Sequence, residues 1–121
     1  MALSVVIRKL SGSTDMLPIA ITGTVTAQTT DIHSTVSGTN IMDQLFVYAS
    51  HTSSNSITVF TEFGPTSNTL IDEVPGRAVM YPLFNGNIIQ GHTAATATII
   101  KMYVSTTNIH IYGHVNRSTE T

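Results

Sequence analysis

Apolar and polar positions alternate with a period of two along much of this 121-residue chain. The clearest run is Asn108-Ile109-His110-Ile111-Tyr112-Gly113-His114-Val115-Asn116. A strand points successive side chains to opposite faces. Ile109, Ile111 and Val115 therefore share one face, and Asn108, His110, Tyr112, His114 and Asn116 share the other. The first face joins an apolar core. The second is a row of large, uncharged hydrogen-bonding groups, without the Lys, Glu or Asp of an ordinary solvent face. Such a row suits a wet protein–protein contact better than catalysis.

Similar but shorter patterns recur. Residues 19–27 follow Pro18 and alternate cleanly, and residues 56–63 place Ile57, Val59 and Phe63 opposite Thr58, Phe60 and Glu62. Residues 3–9, 44–51, 69–74 and 78–83 read as further strands. Asn85-Gly86 is a type I′ turn signal and predicts a hairpin joining 79–84 to 87–90. Residues 96–105 and 108–116 read as a closing hairpin through Thr106-Thr107, with a loose tail from 118 to 121. Residues 29–40 read as a long polar connection, with a short helical turn considered only near 39–45. Short strands separated by Gly, Pro, Asn and Ser predict an all-β fold: one two-sheet, jelly-roll-like β-sandwich of eight or nine strands over residues 1–121. Alternation is weaker in 1–10, which could serve as an extended N-terminal arm that adds a strand to a neighbour's sheet edge.

Composition sharpens this picture. Charged residues are 10% of the chain, against roughly 25% in an average soluble domain. Ser and Thr fill about a quarter of the positions. A surface so poor in charge is more comfortable when neighbours cover it. Lys and Arg total 5 and the net charge is -2, which argues against a nucleic-acid partner. With no Cys there is neither a disulfide framework nor a thiolate metal site, as suits synthesis in a reducing cytoplasm. The first ten residues do not form a signal peptide, because the apolar run is short and its charges follow it. No stretch has the length of a membrane span.

The residues that could carry chemistry do not assemble into a motif. His110 and His114 share a face but lie roughly 13 Å apart on a strand, too far to ligate one ion. His33, His51 and His92 add no ligand spacing. The carboxylates are scattered and read as solvated charges near turns. No nucleophile elbow, phosphate-cradling loop or calcium loop occurs. These features predict a non-enzyme without a cofactor or metal.

Two segments carry a resemblance. Ile57-Thr58-Val59-Phe60-Thr61-Glu62-Phe63-Gly64, followed some fifty residues later by Asn108-Ile109-His110-Ile111-Tyr112-Gly113-His114-Val115-Asn116-Arg117, resembles strands in small structural proteins of tailed bacteriophages. There an I-T-V-F-T-E-F-G-G strand and a closing N-V-x-x-x-G-Y-V-N-R strand recur. Pro65 replaces the second Gly here, and His114 replaces the aromatic before V-N-R. The resemblance spans roughly residues 45–118. It implies a virion protein made in the host cytoplasm, most simply a capsid decoration (cement) protein that stabilises the shell. Its partners would be itself, as a homotrimer, and the major capsid protein or other virion proteins. A neck or tail accessory role, or a β-sandwich module binding a host-surface carbohydrate, is the alternative. The residues expected at subunit contacts are Leu3, Val5, Ile7, Phe60, His110, Tyr112 and His114.

Overall fold

The computed structural model describes residues 3–66, 68–106 and 109–120, with Leu3 and Glu120 described by their backbone. The nine strands are β1 (Leu3–Lys9), β2 (Ile19–Ile21), β3 (Thr30–Ser34), β4 (Ile41–Ser50), β5 (Ile57–Gly64), β6 (Thr69–Val74), β7 (Tyr81–Gln90), β8 (Ile99–Val104) and β9 (Ile109–Glu120). One sheet has the order β1-β9-β4-β7, and β2 extends β1 along the same edge of β9. The other has the order β3-β8-β5-β6.

All pairings are antiparallel, and their nesting describes one long hairpin rolled up. β1 and β2 pair with β9, β3 with β8, β4 with β7 and β5 with β6. Lateral pairings of β4 with β9 and β5 with β8 close the roll into two sheets. This is the jelly-roll order, so the expected β-sandwich is present.

The core lies between the sheets. Leu45, Val47 and Ala49 of β4 and Ile109, Ile111 and Val115 of β9 face Ile57 and Val59 of β5 and Ile100, Met102 and Val104 of β8. Each fully buried aliphatic side chain contributes about 2 kcal/mol of transfer free energy. Gly113 falls at an inward position of β9 where a Cβ would run into the carbonyl of Phe46, so β9 and β4 approach closely only because that side chain is missing.

Several elements differ from the sequence reading. The strand expected over 19–27 ends at Ile21, because Gly23 turns the chain against the Gln28 backbone and Thr26–Gln28 forms a 3-10 turn. The connection expected over 29–40 contains β3, whose Ile32 and His33 are buried. The helical turn considered near 39–45 is the start of β4. Asn85-Gly86 makes no hairpin. β7 runs through it as one strand, and Gly86 (φ 91°) is the extra residue of a bulge between Leu45↔Asn87 and Phe46↔Asn85. A Gly at positive φ serves a bulge as well as a turn. The closing hairpin is replaced by a crossover, since β8 and β9 lie in different sheets; Thr107 and Asn108 fall outside the described residues. The tail expected to be loose continues β9 to Glu120, paired with β1 and β4, with Thr121 outside the described residues. Over Leu3–Lys9 the possible arm is an edge strand on its own β9.

The split between β1 and β2 has a local cause. Residues 10–18 leave the edge of β9 and cross towards the second sheet. Leu10 is buried there, and the Gly12 N–H donates to the Ile32 carbonyl of β3 at 3.0 Å. The Ser13 hydroxyl donates to the Leu17 carbonyl at 2.6 Å and folds the loop on itself.

Candidate functional site

The β4–β9 register sets out the outer face of the first sheet. Met42 lies beside Ser118, Gln44 beside Asn116, Phe46 beside His114, Tyr48 beside Tyr112 and Ser50 beside His110. β1 extends three of these rows with Val5, Ile7 and Lys9, and β7 extends them with Gln90, Ile88, Asn85 and Pro82. Phe46 and His114 stack with ring centroids 5.1 Å apart and planes 15° apart. Among the described side chains, Lys9 is the one charge on this face. It sits at the rim, with its ammonium donating to the Ser13 carbonyl at 2.8 Å.

The outer face of the second sheet is of the ordinary kind. Asp31, Lys101 and Glu62 form a cross-strand row, and Glu73 lies beside Thr58. Phe60 and Tyr103 stack there at 4.7 Å. Glu62 accepts from the Thr26 hydroxyl at 3.0 Å. Among the described side chains, charge is thus concentrated on the outer face of the second sheet, and the outer face of the first is almost bare.

The fold brings Val5, Ile7, His110, Tyr112 and His114 onto that bare face. Phe60 lies on the opposite face of the sandwich. The side chain of Leu3 lies outside the described residues. Of the other histidines, His33 and His51 are buried in the interior and His92 is exposed in a loop. The His51 Nε2–H donates to the Pro75 carbonyl at 2.7 Å, and its Nδ1 has no partner among the described residues. His51 and His110 line a cleft of about 470 Å³ with Ser50, Thr52, Ala78 and Val79.

A buried ion network joins the two sheets. Asp43 on β4 is 1% exposed and His33 on β3 is 2% exposed. Arg117 on β9 donates from Nε to Asp43 Oδ1 at 2.8 Å and from Nη2 to Oδ2 at 2.9 Å, and His33 Nε2 lies 2.6 Å from Oδ2. His33 Nδ1 takes the Ser11 backbone N–H at 3.1 Å. A backbone N–H can only donate, so Nδ1 carries no proton and Nε2–H donates to the carboxylate. Burial by itself pushes the Asp43 carboxyl up. The Arg117 guanidinium and the His33 N–H outweigh it and hold the group down at about 2. The same carboxylate holds Arg117 above its ordinary value.

An Asp–His pair is half of a catalytic triad, but the nitrogen that would act as base is occupied here by Ser11. The network works as a clasp between β3, β4 and β9. A cleft of about 350 Å³, lined by Ile7, Arg8, Lys9, Ser11, His33 and Arg117, opens beside it.

The sequence reading missed this clasp and took the carboxylates for solvated charges. Strand parity carried the signal. Asp43 shares the face of Leu45, Val47 and Ala49, and Arg117 shares the face of Ile111 and Val115. Both positions lie just outside the stretches that the alternation marks, 44–51 and 108–116, while the strands extend to include them. No protein-family model matches this chain, and no curated protein or solved structure matches it either.

Proposed function

We propose that this chain is a structural subunit of a tailed-bacteriophage virion that works by being buried in an assembly, most simply as a decoration protein on the capsid shell. The observation that carries the reading is the outer face of the β1-β9-β4-β7 sheet, which bears apolar, aromatic and amide rows and one charge, Lys9, among its described side chains. A fully solvated face gains nothing from exposing Phe46, Tyr48, Tyr112 and Ile88. A face seated on another protein gains burial from each, while its His, Asn, Gln and Ser groups meet a partner or interfacial water. The jelly roll is a common architecture of viral shells and of lectins, which agrees with the reading at the level of fold.

In this reading the bare face seats on the major capsid protein, copies of the chain associate as a trimer, and many weak contacts add through avidity. The role is one of contact, without catalysis or cofactor. Quantitative mass spectrometry of purified virions tests it. Hundreds of copies per particle are expected for a shell protein. About six or twelve copies, matching the symmetry of a neck or tail, would move the protein there. Its absence from the particle would overturn the proposal.

A further inference from the structure

We infer that the β1 edge of one copy pairs with the β6 edge of a second copy. The inference rests on the assembly role proposed above and names its self-contact.

The two sheets have four edges, one of them shared by β1 and β2, and they are not alike. β7 contains Pro82 and two register shifts, and β3 is short and carries a shift between Asp31 and His33. Bulges and Pro blunt an edge against pairing. β1 and β6 have neither. Their registers with β9 and β5 run without interruption over seven and six residues. Each therefore presents a regular row of backbone donors and acceptors on its free side.

The side chains on these two edges complement one another. β1 reads Val5-Val6-Ile7-Arg8-Lys9 and β6 reads Leu70-Ile71-Asp72-Glu73. Val5 and Ile7 are 58% and 72% exposed, and Leu70 and Ile71 are 49% and 67% exposed. When the two strands run in the same direction, Val6-Ile7 lies beside Leu70-Ile71 and Arg8-Lys9 lies beside Asp72-Glu73. Among the described residues, neither the Arg8 nor the Asp72 side chain has a hydrogen-bond or ion-pair partner. Asp72 is half-buried, and burial pushes its carboxyl up, so it gains from a cation arriving from outside. Glu73 accepts from Ser56 at 2.8 Å and keeps a second oxygen free.

Charges on an edge usually guard it against its own kind. Here β1 repels β1 and β6 repels β6, but β1 attracts β6. Since β1 belongs to one sheet and β6 to the other, every copy offers one edge of each sign. The contact is heterologous, and a heterologous contact closes into a ring when its rotation permits. That is the symmetry a trimer needs.

Charge reversal tests the pairing. Arg8→Glu and Asp72→Arg each place like charges across the contact and are expected to raise the dissociation constant about tenfold or more. The double variant restores opposite charges and is expected to recover the wild-type mass by light scattering. Far-UV circular dichroism checks that every variant stays folded. Single variants that associate like wild type, or a double variant as weak as the singles, would overturn the pairing while leaving the virion role untouched. A wild-type chain that stays monomeric at high micromolar concentration also overturns it. Variants that keep the oligomer but lose attachment to shells would give this edge to the capsid protein instead. Failure of the virion role itself would show separately, as absence of the chain from purified particles.

Discussion

Asp43 occupies a position that the strand pattern reserves for an aliphatic residue, and three hydrogen bonds from Arg117 and His33 keep it there. Removing one member of a buried ion pair leaves the others uncompensated. Asp43→Ala is therefore expected to cost about 3 kcal/mol, read as a lower urea midpoint with an unchanged slope. The same carboxylate sets an acid limit. Its folded value is about 2, below the ordinary 3.8, so the folded state binds its proton more weakly than the unfolded chain does. This contribution is fully present above the unfolded value and is lost as pH falls through about 2. It amounts to about 2 kcal/mol. Urea midpoints taken at pH 5 and at pH 2.5 are expected to differ in wild type by most of this component and to lack that difference in Asp43→Ala. Neither effect was legible from residue type alone. Asp43 looked like any strand-flanking acid until the register of β4 put it level with Arg117.

At the scale of elements, period-two alternation located most strands, and it failed where glycine or connectivity decided. Strands β4, β5 and β9 include most of the stretches their patterns mark, because each buries one face and shows the other, whereas β6 buries only Val74. Asn85-Gly86 misled for a physical reason. The dipeptide states a need for positive φ, and that need is met inside a strand by a bulge as well as at a hairpin tip. The crossover between β8 and β9 was invisible because no local signal says to which sheet a strand returns. Gly86→Ala forces a Cβ into φ 91° and is expected to lower stability by about 1–3 kcal/mol, measured by thermal unfolding. β1 yields a different test. Val5, Val6 and Ile7 are exposed and contribute little core, whereas Leu10 is buried. A chain lacking residues 1–9 is thus expected to keep its far-UV spectrum, melt at a lower temperature because β9 loses a ladder, and lose self-association. A chain that fails to fold would show that the β1–β9 ladder is needed for the domain itself.

For the whole molecule, the decisive property is the contrast between the two outer faces. The last strand revealed half of it: the row His110, Tyr112, His114 and Asn116 was readable as an uncharged outer row from alternation alone. The other half depends on which strands flank β9. Once β4 and β1 take those places, Phe46, Tyr48, Gln44, Val5 and Ile7 join the same face, and a single row becomes a surface spanning the sheet. A charge placed near its centre tests the proposed seating on the shell apart from folding. Tyr112 is more than a third exposed and lies beside Tyr48. Tyr112→Glu therefore leaves the core intact, but it would have to bury an unpaired carboxylate wherever the face is covered. An unpaired buried charge costs several kcal/mol, enough to lower occupancy on the particle by about a hundredfold at limiting concentration. Tyr103→Glu makes the matching change on the charged face of the other sheet, where Tyr103 lies beside Phe60, and is expected to leave occupancy unchanged. The two variants, scored by copies per virion and by melting temperature, should differ in the first and agree in the second. Equal occupancy for both would mean that the bare face stays open to solvent in the particle, and the contact would then have to lie elsewhere on the sandwich.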